Sequence, residues 1–245
     1  YVKLVPKNRQ FSRAFNCIPV KYLYYHHNLL KQFSQEQLIN EPLPLERIPQ
    51  KKERQQLHKV IKNAMALTVR EIDPATFLQQ ESIRLYPLER GLSLAIYSMI
   101  PKSQLPLETY FGFTFFKNGF PVSYGGVWAF GKMAKLGLNI FEPFRGGESG
   151  YILCQLLRVF RQAFGVSYFE IAPYQFGLDN PDGIKSGAFW FYHKYGFKPV
   201  DKTLRLLAKN EYDKIKTRKN YRSNSKTLLR FTESNIGLNL EKIVP

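Results

Sequence analysis

A glycine-rich loop between an apolar segment and an amphipathic one limits what this chain can fold into more than any other feature. The loop occupies residues 142–150 and reads Glu-Pro-Phe-Arg-Gly-Gly-Glu-Ser-Gly. Its glycines can take positive φ and leave no Cβ between a ligand and the backbone. The residues after it predict a helix, because apolar side chains recur there at helical spacing; they are Leu153, Leu156, Leu157, Phe160 and Phe164. Since the first N–H groups of a helix lack partners within it, the loop and the helix together predict a site for phosphate or another anion.

The pattern of apolar residues changes from helical to alternating near residue 92, and this predicts a sheet. Asn118 and Gly119 separate two alternating segments and form the strongest short hairpin signal, since both turn positions favour positive φ. A strand before the loop and another after the helix complete a strand–helix–strand crossover. The pattern predicts an α/β fold of the α+β kind, in which a mixed, mostly antiparallel sheet carries helices on both faces. Its strands are expected at 92–99, 110–117, 121–129, 135–141 and 167–172.

A second segment, at residues 188–197, carries a pattern of its own. It reads Ala-x-x-aromatic-Tyr-x-x-x-Gly-Phe, and its fixed positions are Ala188, Phe191, Tyr192, Gly196 and Phe197. Upstream, Arg145 and Gly150 are the ends of an Arg-x-x-x-x-Gly spacing in the loop. The two segments together resemble the GNAT family of acyl-CoA-dependent N-acyltransferases, whose phosphate loop reads roughly Arg/Gln-x-x-Gly-x-Gly/Ala. The resemblance covers about residues 92–200 and implies a GNAT-like fold there.

The resemblance implies an acyl thioester donor with a phosphopantetheine arm, either acetyl-CoA or a longer acyl-CoA. Main-chain N–H groups of the loop would hold its pyrophosphate, and the edge of the preceding strand would hold the acyl carbonyl. In the family, the strands on either side of the helix part, and the arm enters between them. The donor-binding residues expected on this basis are Asn139, Ile140, Phe141, Arg145, Gly146, Gly147, Ser149 and Gly150.

The resemblance also assigns a catalytic role to Tyr192, which matches the family tyrosine placed near the cofactor sulfur. A phenol there would give a proton to the departing thiolate. The alternative is a core tyrosine whose hydroxyl bonds to the backbone.

Glu148 and Glu170 are the candidates for a general base. Glu170 interrupts an apolar strand, where burial raises the pKa of a carboxyl group. Glu148 replaces the internal glycine of the family loop, so it must turn away from a pyrophosphate, be paired, or indicate a different ligand. For both residues, the alternative is an ion pair with a nearby Arg or Lys.

The charge of the chain favours anionic partners. It has 36 Lys and Arg against 19 Asp and Glu, a net charge of +17, which attracts nucleotide cofactors, nucleic acid, anionic lipid or acidic proteins. Three functions stay open: an N-acyltransferase that uses acyl-CoA, one that uses acyl-carrier-protein thioesters, and a non-catalytic GNAT-like module that binds nucleic acid through a basic tail. The acceptor would be a small-molecule or peptide amine. The identity of the acceptor stays open. The family recognises acceptors through helices between its first two strands, and this chain has a short loop in their place.

Three regions are predicted along the chain. They are a helical N-terminal region at 1–60, the GNAT-like acyltransferase domain at 61–208, and a basic C-terminal tail at 209–245. A clear amphipathic helix is expected at 51–67, and Asp73 and Pro74 start another that reaches about residue 85. A looser helical stripe precedes them, formed by Tyr22, Leu23, Tyr25, Leu29 and Leu30.

Membrane spans and metal sites are not predicted. The chain has no apolar run of about eighteen residues, and its histidines and cysteines show no ligand spacing. Cys17 and Cys154 are expected to be unpaired, which favours the reducing cytoplasm.

Overall fold

The sheet of this protein extends from residue 84 to residue 239 in a computed structural model that describes residues 11–242. Within that range the sheet has eight strands. In chain order they are β1 (Arg84–Pro87), β2 (Leu92–Tyr97), β3 (Tyr110–Lys117), β4 (Phe120–Phe130), β5 (Met133–Ile140), β6 (Tyr168–Ile171), β7 (Lys198–Pro199) and β8 (Ile236–Asn239). Across the sheet they are ordered β1-β2-β3-β4-β5-β6-β8-β7.

Neighbouring strands are antiparallel throughout, except that β5 and β6 are parallel. Helix α4 (Ser149–Phe164) connects these two strands. The hairpin between β3 and β4 turns at Asn118 and Gly119, which have φ of 49° and 83°. The predicted mixed, mostly antiparallel sheet with a strand–helix–strand crossover is therefore confirmed, and so is the predicted hairpin.

Helices cover both faces of the sheet. They are α1 (Gln35–Asn40), α2 (Lys51–Thr68), α3 (Asp73–Thr76), α4 (Ser149–Phe164), α5 (Pro181–Ser186), α6 (Ala188–Lys194), α7 (Lys202–Thr217) and α8 (Ser225–Phe231). The larger core lies between the sheet and α4, and the smaller one lies between the sheet and the apolar face of α2. Within residues 11–242, no helix is long and apolar enough to cross a membrane.

Helix α4 is buried on nearly all sides. Its predicted apolar face packs on the sheet, and it ends at Gly165, which has a left-handed φ of 69° as expected for a helix stop. The side of α4 that faces away from the sheet is covered in part by the chain around α1. Arg158 is fully buried there, where its guanidinium donates to the Glu89 carboxylate (2.8 Å) and to the main-chain oxygens of Glu41 (2.8 Å) and Pro42 (2.7 Å).

The helical stripe predicted near residue 22 is wrong. Residues 20–33, called the strap from here on, form no helix or strand. Two of its main-chain N–H groups are instead bonded to distant side chains: Tyr24 N donates to Asn118 Oδ1 and Leu30 N donates to Glu148 Oε1, both at 2.9 Å. The strap also leaves the Tyr22 and Tyr25 side chains 77% and 80% exposed, so their apolar spacing does not reflect a buried helix face.

The helix at residues 51–67 is present as α2, but the next predicted helix is much shorter than expected. The helix that begins at Asp73 ends at Thr76 and does not reach residue 85. The reason is long-range pairing, because Arg84–Pro87 forms β1 against β2. Local propensity therefore gives way to an edge strand.

Part of the basic region after residue 208 belongs to the sheet. Strand β8 inserts between β6 and β7 and pairs with both, so the sheet crosses the boundary predicted between domain and tail. The first ten residues of the predicted N-terminal region and the last three of the predicted tail lie outside the described residues.

Candidate active site

Strands β5 and β6 separate halfway along β5. They are paired from Met133 opposite Tyr168 to Leu136 opposite Ile171, where β6 ends. Residues 137–140 of β5 have no partner in β6. Gln175 lies beside this gap, because a Cβ placed on Gly137 would be 3.1 Å from Gln175 Nε2. This is the parting of strands that the resemblance implies.

A cleft of about 1300 Å³ opens at this gap and reaches both faces of the sheet. On one side it is lined by the loop, by the start of α4 and by α6. On the other it is lined by the end of α2 and by Tyr124 of β4. Every donor-binding residue predicted from the sequence lines this cleft: Asn139, Ile140, Phe141, Arg145, Gly146, Gly147, Ser149 and Gly150.

The first turn of α4 faces the cleft without a side-chain cap. Glu148 occupies the N-cap position, and no described side chain accepts a hydrogen bond from the first N–H groups of the helix. These groups carry the positive end of the helix dipole and suit an anion. Gly146 has φ of 72°, which favours glycine, and open space surrounds it. At Gly150, a Cβ would overlap the Tyr195 hydroxyl, so glycine is required there by packing.

Main-chain groups of β5 also face the gap. Phe141 N–H donates to Val122 O of β4 at 3.0 Å, and main-chain groups alternate in direction along a strand. The N–H groups of Leu138 and Ile140 therefore face the gap. In agreement with this, Arg145 Nε donates to the carbonyl oxygen of Ile140 at 3.1 Å.

Glu148 points away from the cleft and is held by three donors. Its carboxylate accepts hydrogen bonds from Leu30 N–H (2.9 Å), from Lys117 Nζ (3.0 Å) and from the Arg90 guanidinium. Burial raises the pKa of Glu148, but these hydrogen bonds and charges outweigh burial and lower the pKa to about 2. An ionised carboxylate with both oxygens occupied cannot collect a proton near neutral pH, so the predicted base role for Glu148 does not fit. The sequence left three possibilities for Glu148: that it turns away from a pyrophosphate, that it is paired, or that it indicates a different ligand. In the structure it is turned away from the cleft and paired.

Glu170 is also outside the cleft. It alternates along β6 with Phe169 and Ile171, which face the larger core, so its side chain lies on the opposite face of the sheet. There it accepts hydrogen bonds from Tyr168 Oη (3.2 Å) and Asn235 Nδ2 (2.8 Å). The predicted base role for Glu170 does not fit this position either. The carboxylates that do line the cleft are Glu142 and Asp182.

Tyr192 lines the cleft from α6 and is only 4% exposed. Its ring makes edge contacts with Phe191 and Phe197, at centroid distances of 5.2 and 5.8 Å. Burial raises the pKa of its phenol well above the ordinary value. The hydroxyl therefore stays protonated at physiological pH, so it is able to donate a hydrogen bond.

The cleft is positively charged. Against its two carboxylates it is lined by six cationic side chains, which are Arg13, Lys31, Arg70, Arg145, Lys185 and Lys194. Of these, the sequence analysis identified Arg145 alone. Nothing in the local sequence marks Arg70; only the structure shows that its neighbour Val69, a β-branched residue, takes φ of 52° where glycine is usual. Among residues 11–242, no three His, Cys, Asp or Glu side chains are grouped to hold a metal ion.

Comparison with known proteins finds likeness at the level of structure. No protein-family model matches the chain, and no curated protein matches it. An acetyltransferase from Streptococcus agalactiae is 17% identical over 39% of this chain, with a TM-score of 0.30, and this chain spans 56% of its length. A GNAT family acetyltransferase from Elizabethkingia anophelis, solved with acetyl-CoA bound, is 12% identical over 60% of this chain and 98% of its own (TM-score 0.35). A GNAT family acetyltransferase from Staphylococcus aureus is 11% identical over 80% of this chain and 98% of its own (TM-score 0.37).

At such identities a likeness concerns the fold alone. The sheet itself has the features expected from the two sequence segments. Its β5 and β6 are parallel and joined by α4, they part in front of the loop, and α6 lines the gap with Tyr192. The described part of this chain has a GNAT-like fold.

Proposed function

We propose that this protein is an N-acyltransferase that transfers an acyl group from acetyl-CoA or a longer acyl-CoA to an amine. One observation carries the proposal: uncapped main-chain amides at the start of α4 face a positively charged cleft that opens between two parted strands. The amides at residues 146–150 and Arg145 would hold the diphosphate. The pantetheine arm would lie along the free edge formed by Asn139, Ile140 and Phe141.

Amide formation needs a polarised acyl carbonyl, a proton for the departing thiolate and an unprotonated amine. The residues of the cleft supply the first two. The N–H groups of Leu138 and Ile140 face the gap and would polarise the acyl carbonyl. The protonated Tyr192 hydroxyl would donate to the departing thiolate. The third need is an unprotonated amine, and neither Glu148 nor Glu170 is placed to take its proton.

An acyl-carrier-protein donor is a second candidate, and the net charge of +17 favours it because carrier proteins are acidic. A carboxylate in the phosphate loop, which would repel the diphosphate of CoA, is a further argument for it. The Glu148 side chain points away from the cleft and is paired with Arg90 and Lys117. It therefore gives no reason to exclude CoA as the donor.

Calorimetric titration separates the two donors. We expect acetyl-CoA, or an acyl-CoA with a longer chain, to bind at micromolar concentration. Binding only of carrier-linked acyl groups would transfer the proposal to the second donor. Binding of neither would leave the chain with a GNAT-like fold and no transferase role.

Nucleic-acid binding through the basic C-terminal region is less well supported. Tyr221 donates to the buried Glu211 carboxylate at 2.9 Å, and the Tyr212 ring stacks on Trp190 at a centroid distance of 6.0 Å. These two tyrosines are thus engaged within the fold, and the third aromatic residue of that region, Phe231, is buried, so the region offers few rings to stack on bases. A gel shift with RNA that weakens steeply with salt would restore this alternative.

The location we propose is a reducing compartment such as the cytoplasm, because both Cys17 and Cys154 are free thiols.

Replacing Tyr192 by phenylalanine is expected to lower turnover by about 10- to 100-fold, with acetyl-CoA affinity within about twofold. Phenylalanine keeps the ring contacts with Phe191 and Phe197 and removes only the hydroxyl. Steady-state kinetics and calorimetry measure the two effects separately. The matched control is Tyr168→Phe, which removes a hydroxyl on β6 outside the cleft and should leave turnover unchanged. Unaltered turnover in Tyr192→Phe would return Tyr192 to the role of a core residue.

A further inference from the structure

The two ends of the cleft lie on different faces of the sheet, and this assigns them to different substrates. Leu138 and Ile140 of β5 pack toward the core beneath α4, whereas Phe141 packs with the core beneath α2. The phosphate loop and Tyr192 lie on the α4 side. If the donor occupies that side, as the proposed function requires, the amine must approach its thioester from the α2 side.

We propose that the acceptor amine carries an anionic group, a carboxylate or a phosphate, and that Arg70 and Tyr124 bind this group on the α2 side of the cleft. The inference rests on the proposed function and names the class of its second substrate.

Tyr124 is placed beside the reacting end of the cleft by the register of the sheet. It lies directly opposite Asn139 in the antiparallel pairing of β4 with β5, so the two side chains share the α2 face. Its ring stacks on Phe141 at a centroid distance of 5.2 Å. Burial raises the pKa of the Tyr124 phenol, and the charges of Arg70 and Arg145 act in the opposite direction. Both guanidinium groups therefore lie within electrostatic reach of the hydroxyl.

Arg70 is held over this face by the turn that ends α2. Its N–H donates to Met65 O at 2.9 Å and that of Val69 to Ala66 O at 3.2 Å, a helix-ending pair of bonds that requires Val69 to take φ of 52°. A β-branched residue is unfavourable in this conformation. The backbone thus accepts strain at the residue that directs Arg70 toward the cleft.

Two cations that line the cleft, Arg70 and Arg13, are available to an anion. Neither Arg70 nor Arg13, which also lines the cleft, forms an ion pair within residues 11–242. The other four cations of the cleft also form no ion pair within the described residues, whereas Arg90, Arg158 and Lys117, which lie outside the cleft, are paired. Unpaired guanidinium groups beside an apolar wall bind carboxylate and phosphate well. They would repel an acceptor whose only charge is its ammonium group.

The same positive charges would favour the unprotonated form of the amine, which is the form that reacts. A cation near an ammonium group disfavours its charged form and lowers its pKa, so Arg70 favours loss of the proton to solvent without a carboxylate base. The amine nitrogen then attacks the thioester carbonyl carbon, the N–C bond forms and the C–S bond breaks. The thiolate receives one proton from the Tyr192 hydroxyl, which recovers one from solvent. After the attack, the positively charged nitrogen releases its second proton to solvent. The ammonium thus loses two protons and the thiol gains one, so one proton is released for each acyl group transferred.

Pairs of amines that differ by one anionic group test the inference. We would compare phenylalanine with phenethylamine, leucine with 3-methylbutylamine, and phosphoethanolamine with ethanolamine. Each is measured by calorimetric binding to the protein alone and by thiol release from acetyl-CoA. We expect the anionic member of at least one pair to bind and react at least tenfold better. The first two pairs report on carboxylate and the third on phosphate. Equal or better use of the neutral members in all three pairs would overturn the inference.

The variant Arg70→Gln assigns the effect to this subsite. It is expected to remove about tenfold of the preference for the anionic member, by weakening that member and relieving the repulsion of the neutral one, and to move the acid limb of the kcat/KM profile to higher pH. The matched control is Lys62→Gln, which removes an exposed cation of α2 outside the cleft and should change the use of neither member. If Arg70→Gln weakened acetyl-CoA binding instead, Arg70 would belong to the donor site and the inference would fail.

The amine-binding measurement keeps the two proposals separable. Absence of acetyl-CoA binding would defeat the proposed function. Binding of phenylalanine or phosphoethanolamine to the protein alone, with its loss in Arg70→Gln, would still establish the anion subsite.

Discussion

A Gly147→Asp variant is expected to bind acetyl-CoA at least about 100-fold more weakly than the unaltered protein. The substitution places a carboxylate among the main-chain amides that would hold the donor's diphosphate. Two unit charges about 5 Å apart repel by about 3 kcal/mol at the effective dielectric of a protein surface, which corresponds to more than 100-fold in Kd. Isothermal titration calorimetry at low salt measures the loss directly, and added salt should reduce it in part.

Gly147→Asn is the control that separates charge from shape. Gly147 does not need positive φ, and a Cβ there would meet only Phe144 O at 3.5 Å, an ordinary contact. Asparagine has nearly the volume of aspartate without its charge, so its Kd should stay within a few-fold of the unaltered value. Gly146 would be a poor site for this comparison because its φ of 72° requires glycine. Normal binding in Gly147→Asp would place the donor elsewhere and remove the observation on which the proposed function depends.

The parts of the site that the sequence predicted are those whose signals are local. The loop at 142–150, the apolar stripe of α4 and the turn at Asn118 and Gly119 each depend on residues within a few positions of one another. The donor-binding residues predicted from the loop and from the end of β5 accordingly line one cleft. Tyr192 joined them through a family pattern and not through any physical signal of its own.

The parts that the sequence did not predict are set by contacts between distant segments. Strand β8 has four residues, and it enters the sheet by pairing with β6, nearly seventy positions away. The apolar spacing of the strap predicts a helix, but its main-chain N–H groups bond to Asn118 and Glu148 instead. Arg70 and Tyr124 meet only once α2 has packed on β4. Contacts between distant segments produce no periodicity in the local sequence, so the spacing of apolar residues cannot predict them.

Glu148 shows the same limit most clearly, because its neighbours reverse its interpretation. It was a candidate base from its position in the loop. Its partners are Leu30, Arg90 and Lys117, which lie 118, 58 and 31 residues away along the chain. Together they tie the strap, the turn before β2 and the end of β3 to the first residue before α4. Glu148 is therefore a structural anchor for the loop that would hold the donor.

Glu148→Gln is expected to lower the free energy of unfolding by about 2 kcal/mol at pH 7. The folded-state pKa of about 2 lies below the ordinary value of 4.5, so the ionised group stabilises the fold above pH 4.5. That stabilisation is lost as the pH falls from 4.5 toward 2. The full shift would correspond to about 3.4 kcal/mol. We reduce it because Arg90 and Lys117 remain 19% and 17% exposed and solvent screens the pairs.

Urea unfolding of the two proteins at several pH values tests this expectation. The curves of unfolding free energy should differ by about 2 kcal/mol near neutral pH and converge toward pH 2. Glu142→Gln is the control, since that exposed loop carboxylate forms no ion pair within residues 11–242 and its removal should leave the curve unchanged. Acetyl-CoA affinity should fall in Glu148→Gln, because the loop loses its tie to the strap and no longer holds its main-chain amides in place. A general base would behave in the opposite way, with stability and donor affinity intact and turnover alone lost. That second pattern would contradict the anchoring role and return Glu148 to the reaction itself.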